Sequence, residues 1–262
     1  NDYANSNGTF ILSNGATLQT ANPSGVNGSI QTTTQSLSAS ANYAFDGTSA
    51  QVTGTYLPAT VNNFRINNVN GLTLTNSVTA TGTLYMNSGN INTGANTFIL
   101  SNPVSSALNY TAGIIVGRFE RFINTTSVNY FFPVGTTTQI QSLTAYFVNL
   151  TAGSLLVQYI VGDPGNSGLP LTDGDGSQIT NQFTSGYWSA LAKNSLASTN
   201  YRIDLNATGF GPYAINAGTR LMKRTDTGGS WFLNGTHSDA VGSVIKRTGM
   251  NGISNAGGGT QF

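Results

Sequence analysis

The chain has 262 residues, of which 38% are apolar, and with 32 glycines that is enough for a real core in one long β domain or two modest ones. Only 7% are charged, against roughly 25% in ordinary soluble domains. The net charge of +1 gives no electrostatic footprint for nucleic acid, and the low charge argues against Glu/Lys-faced helices and against high-charge disorder.

There is no Cys, so disulfides, thiol catalysis and thiolate metal sites are excluded. No apolar run approaches the roughly 18 residues of a membrane span, so no transmembrane segment is expected. The chain opens on no recognisable signal peptide, so an exported protein would be present in processed form.

Charge is distributed unevenly. Before Arg118 only Asp2, Asp46 and Arg65 carry formal side-chain charge, and the remaining charges follow with the single histidine, His237. This shift predicts a boundary near 112–117 and two domains, 1–113 and 114–262. In the first, apolar-x-apolar pairs recur: Phe10 and Leu12, Phe64 and Ile66, Leu72 and Leu74, Leu84 and Met86, Phe98 and Leu100. Period two is the mark of a strand with one buried face. Asn-Gly steps at 7–8, 14–15, 27–28 and 70–71 predict turns with positive φ.

Strands this short are unstable as isolated hairpins but stable as stacked rungs, each covering its neighbour. The hexapeptide Thr9-Phe10-Ile11-Leu12-Ser13-Asn14 recurs unchanged at 97–102, which supports a repeat. Residues 31–45 read as a smaller rung or an excursion.

The second domain has longer strand candidates at 114–123, 130–134, 143–150, 155–161, 201–205, 220–224, 230–233 and 241–247, the pattern of a sandwich. The long polar loop 162–181 is of the kind that carries function. The fold class is therefore all-β: an imperfect right-handed parallel β-helix-like part, then an antiparallel β-sandwich.

The segment 45–94, "IIVGRFERFI" at 114–123, "YFFPVGT" at 130–136, "GYW" at 186–188, "RLMKR" at 220–224 and "RTGMNGIS" at 247–254 together resemble a family of large cell-surface proteins that Bacteroidota export through the type IX secretion system. The resemblance implies a β-helix followed by a β-sandwich, export to the surface, and an adhesive or structural role without catalytic residues. No C-terminal sorting domain is recognised, which fits a cleaved protein, a fragment or a subunit.

Candidate sites are few. Asp173-Gly-Asp175-Gly-Ser177 alternates oxygen donors around glycine, as part of a Ca²⁺ loop does, though no bidentate Glu follows; the alternative is an ordinary turn. No other cofactor is implied. Tyr187, Trp188, Trp231 and Phe232 could stack on a glycan; the alternative is strand core. Glu120, between Arg118 and Arg121, reads as an ion pair on an exposed sheet face. His237 reads as a loop histidine, because chain neighbours Ser238 and Asp239 rarely assemble a triad.

Paired carboxylates for glycan hydrolysis are missing from the rung region. The leading expectation is a non-catalytic extracellular structural or adhesive protein, self-assembling with its own copies by head-to-tail stacking or strand donation. The alternative is a carbohydrate-binding module, and a third reading places an enzyme site in loop 162–181.

Overall fold

The computed structural model describes residues 3–225 and 228–262, so Asp2 lies outside the described residues. It is 50% strand and 3% helix, a β-solenoid of about five turns with antiparallel sheets. Two compact units result, Asn1–Arg121 and Phe122–Phe262. The boundary lies beyond the expected 113/114 because strand Ile115–Ile123 pairs in parallel with Ile91–Leu100. Most of "IIVGRFERFI" thus forms the last rung of the solenoid as well.

The solenoid arises from strands too short to pair with themselves. One parallel sheet runs Thr17–Thr20, Asn42–Phe45, Phe64–Asn67, Leu84–Ser88, Leu108–Tyr110. Its register stacks Leu18 on Tyr43, Tyr43 on Phe64, Phe64 on Leu84 and Leu84 on Leu108. The turns differ in length, yet the inward column stays apolar. A second face stacks Gln51, Leu72, Ile91 and Ile115. A third stacks Val61, Ala80, Leu100 and Arg121.

Between the faces runs an aromatic column, with ring centroids of Phe45–Phe64 at 5.2 Å, Phe64–Phe98 at 5.0 Å and Phe98–Phe119 at 6.2 Å. All four rings are fully buried.

The corners are closed by amides reaching from turn to turn. Asn62 Nδ2 donates to Asn42 Oδ1 at 2.9 Å, Asn42 Nδ2 to Gly15 O at 3.0 Å, and Thr83 N to Asn63 Oδ1 at 2.7 Å. Asn14-Gly15 and Asn70-Gly71 are turns, with φ of 74° and 85° at the glycines. Asn7-Gly8 instead lies inside strand Tyr3–Leu12 and Asn27-Gly28 inside the short helix Val26–Ser29, because stacking on a neighbouring rung overrides a local turn preference. Gly89 sits at a corner where a Cβ would fall 1.7 Å from Asn68 O, so only glycine fits there.

Residues 31–45 are true rungs. Ile30–Leu37 pairs in parallel with Tyr3–Leu12, and Asn42–Phe45 joins the five-stranded sheet. Glu120 and Arg121 are buried, at 2% and 1% exposure. The exposed ion pair expected there is corrected: Phe119, Glu120 and Arg121 are buried in succession, so both faces of the strand are covered, and Arg121 Nη2 donates to Ser105 O at 2.7 Å.

The second unit is a β-sandwich. One antiparallel sheet runs Asn129–Phe132, Leu143–Thr151, Ala197–Asn206, Val244–Met250, Thr236–Val241, and Gly153–Val161, Gly186–Lys193 and Thr260–Gln261 pair antiparallel in the other. Alternate residues Leu143, Ala145 and Phe147, and Tyr201, Ile203 and Leu205, are buried, the period-two pattern read from sequence. The expected strand 241–247 is broken at Gly242 (φ 59°), which turns Thr236–Val241 back onto Val244–Met250. The expected strands 220–224 and 230–233 reduce to the isolated bridges Lys223 with Phe232 and Arg224 with Gln261, because this stretch is organised by buried cationic side chains rather than by a ladder.

The aromatic column makes a test. Phe64→Ala should cost about 3–5 kcal/mol, read as an earlier denaturant midpoint by far-ultraviolet circular dichroism. An unchanged midpoint would contradict the central place of that ring.

Candidate functional site

The chemistry-bearing side chains gather in the second unit, around loop 163–182 and segment 211–235. Asp173 begins a tight turn, with Gly176 N donating to Asp173 O at 2.9 Å, between the two-residue strands Leu171–Thr172 and Gln178–Ile179. Its carboxylate receives Arg247 Nη1 at 3.0 Å and Nη2 at 2.7 Å, a bidentate fork, and lies 3.1 Å from Arg220 Nε. Arg220 Nη2 also donates to Asp175 Oδ2 at 2.6 Å and to Ser177 Oγ at 3.0 Å.

Asp173, Asp175 and Ser177, the residues of the calcium reading, are therefore brought together, but their oxygens are bound to guanidinium groups. Two cations at contact distance oppose a dication in the same place. No metal-holding group of His, Asp and Glu exists among the described residues.

The arrangement is a clamp. Arg247 lies on strand Val244–Met250 and is 1% exposed; its Nε and Nη2 also donate to Asn234 O and Gly235 O, both at 2.9 Å. One guanidinium thus ties the loop turn, the sheet and the 234–235 turn together. His237 is not in a loop: it lies on strand Thr236–Val241, because the hairpin closes at Gly242. Its Nε2 sits 2.8 Å from Arg220 Nη1, 2.9 Å from Ala217 O and 3.3 Å from Asp239 Oδ1.

Trp188 and Trp231 are buried, at 2% and 3% exposure. Their indole N–H groups donate to Gln141 O at 2.6 Å and Gly165 O at 2.7 Å. Tyr187 is half-buried, and Arg224 lies over both the Trp231 ring at 4.4 Å and the Tyr187 ring at 5.8 Å. A stacking platform of Tyr187, Trp188 and Trp231 is corrected on this geometry: the two indoles are core, and the ring faces meet Arg224 and Phe210 rather than solvent.

Lys223 was not legible as a site residue. It is 3% exposed, and its Nζ donates to Gly252 O at 2.6 Å, to Tyr201 Oη at 3.2 Å and to Asn251 O. Burial pulls its ammonium down to about 8, and the same burial pushes the Tyr201 hydroxyl up. This lysine holds the 251–252 turn by its carbonyls. The only sequence signals were the basic pairs Lys223-Arg224 and Lys246-Arg247 in a chain otherwise poor in charge.

Beside the clamp lies a cleft of about 290 Å³, lined by 178–183 on one side and by residues of 213–222 on the other. Its surface combines the amides Gln178, Asn181, Gln182 and Asn216 with the rings Phe183 and Tyr213. No family model matches the chain, and neither a curated protein nor a solved structure matches it.

The clamp carries a pH signature. The hydrogen bond from Arg247, with the Gly174 amide and the charges of both arginines, outweighs desolvation and holds the Asp173 carboxyl at about 2. A folded pKa below the unfolded 3.8 gives stability that is present above about pH 4 and lost as pH falls toward 2. Asp173→Asn should therefore cost about 3–5 kcal/mol near neutrality. Its deficit against the wild type in thermal unfolding should shrink as pH drops through that window. A deficit constant from pH 7 to 2 would contradict the clamp.

Proposed function

We propose that the chain is a non-catalytic structural or adhesive extracellular module that assembles with further copies of itself. The observation that carries this reading is a thin, exposed edge ribbon of the solenoid. Tyr3–Leu12 pairs only with Ile30–Leu37, in a two-stranded parallel ribbon. Ile30–Leu37 is mostly exposed or half-exposed beyond Ile30, and Ile11 is 65% exposed. Such a ribbon is at best marginal alone.

The chain itself shows what the same letters do when completed. At 97–102 the hexapeptide lies between two parallel neighbours, with Thr97–Leu100 against Arg118–Arg121 and Phe98–Leu100 against Val78–Ala80. There Ile99 is half-buried and Leu100 is fully buried. Both copies of the hexapeptide lead into a strand of the same sheet, Thr17–Thr20 and Leu108–Tyr110, and those two strands are its opposite edges.

A second copy of the chain is the occupant this geometry fits best. Leu108–Tyr110 of one copy continues the parallel ladder onto Thr17–Thr20 of the next, so that Leu108 extends the column begun by Leu18. On this five-stranded sheet the contact is heterologous and leaves a fresh edge after each addition, the condition for an open fibre. The scarcity of charge along the first unit fits the same reading, since edge charges are a common means of keeping strands apart.

Electron microscopy and sedimentation of the purified chain test it. The wild type should form fibres or concentration-dependent oligomers. Thr9→Lys with Ile11→Lys, which places two charges on exposed positions of the ribbon, should remain a folded monomer. A wild type that stays monomeric at its solubility limit, or a double variant that assembles equally well, would overturn the reading.

A further inference from the structure

We propose that the cleft between 178–183 and 213–222 is a binding site for a neutral polysaccharide. The inference is independent of self-assembly, because every residue it uses belongs to the second unit.

The first argument is a braced aromatic face. Tyr213 is 46% exposed, yet its ring packs edge to face on Phe183, with centroids 5.9 Å apart and planes at 79°. Phe183 packs on Phe210 at 5.9 Å, and Phe210 stacks on buried Trp188 at 5.2 Å and 18°. The exposed ring is thus the outer end of an aromatic chain rooted in the core. A ring held in place loses little freedom on contact with a ligand, and an aromatic face suits the C–H surface of a sugar ring while its hydroxyl stays wet.

The second argument is a set of oriented amides. Gln182 Nε2 donates to Asp163 Oδ1 at 3.2 Å, Gln178 Nε2 to Thr172 Oγ1 at 2.8 Å, and Asn181 Nδ2 to Thr180 Oγ1 at 3.2 Å. Each bond uses one amide hydrogen and sets the orientation of the group, leaving a second hydrogen and the carbonyl oxygen. Asn216 faces them across the cleft, turned by the bond from Gly218 N to its Oδ1 at 2.8 Å. A wall that both donates and accepts matches sugar hydroxyls, which do the same.

The third argument is charge. The one ionic residue lining the cleft is Arg220, and its guanidinium is bound to Asp173 and Asp175 at 3.1 and 2.6 Å. The rim therefore offers an anionic polymer no uncompensated cation, and the nearby carboxylates oppose one. The cleft has the volume for a monosaccharide-sized group, at the small end of ligand pockets, and it is open enough for a chain to continue out of it.

Affinity electrophoresis in native gels containing a soluble β-1,3-glucan, a mannan, a xylan or, as acidic comparison, polygalacturonate tests the site. The Thr9→Lys/Ile11→Lys background is run beside the wild type, so that assembly is not mistaken for binding. At least one neutral polymer should retard both proteins. Tyr213→Ala should weaken that retardation about tenfold or more, the loss of one stacked face, while Tyr213→Phe keeps most of it. Asn181→Ala should weaken it as well, with an unchanged circular dichroism spectrum. Retardation by polygalacturonate alone, by no polymer, or equally in Tyr213→Ala would overturn the proposal.

Discussion

Parallel strands stacked in register, about 4.8 Å apart, are the constraint on which the rest of the first unit depends. Each turn sets a residue directly over its counterpart, so whatever occupies one rung must tolerate a neighbour at that spacing. Apolar and aromatic residues gain from it, as Tyr43 over Phe64 and Phe98 over Phe119 show. Amides and hydroxyls gain too, because each can donate to the rung on one side and accept from the other. Asn62 on Asn42 at 2.9 Å and Asn68 Nδ2 on Gln51 Oε1 at 2.9 Å are such contacts. Charges of one sign would repel. Asp46 and Arg65, of opposite sign on adjacent turns and 3.9 Å apart, obey the same rule. Low charge is thus a condition of the stack before it is a statement about function.

That constraint also explains which features the sequence revealed. The apolar-x-apolar pairs at 64–66, 72–74, 84–86 and 98–100 all fall on inward columns, since period two survives irregular corners. The hexapeptide echo marked equivalent places in two turns. Asn7-Gly8 and Asn27-Gly28 misled, because a turn preference is local and the rung above decides whether it is used. The rise in charge at Arg118 precedes the division between the units: Arg118, Glu120 and Arg121 all lie on a strand that pairs with Ile91–Leu100.

In the second unit several of the long strands were legible and the site was not. Leu143–Thr151 and Gly153–Val161 announce themselves by β-branched and aromatic content. The clamp joins Asp173 to Arg220 and Arg247 across long stretches of chain, and no spacing rule links an acid to bases that far away. The turn 173–177 was visible as alternating oxygens, and its partners were not, so a cation of the protein's own stands where a metal was considered. The tryptophans illustrate the same limit. A Trp at a strand position carries no signal for which way it faces, and both indoles turn inward to donate to carbonyls. Tyr213, an exposed aromatic, lies in a loop without periodicity.

The two units therefore hold their polar groups by opposite means, and that difference bears on function. In the solenoid, hydrogen bonds between neutral side chains link one turn to the next. In the sandwich, polar contacts are singular: one aspartate takes two arginines, one lysine gathers the carbonyls of a turn, and removing Asp173 leaves buried guanidinium groups without their carboxylate. Repetition suits a surface that grows by copies of itself. Tyr213 owes its place to the aromatic chain through Phe183 and Phe210 rather than to a regular sheet beneath it. The clamp turns Arg220 inward onto its carboxylates, so the lining of the neighbouring cleft is left to amides and rings rather than to free charge.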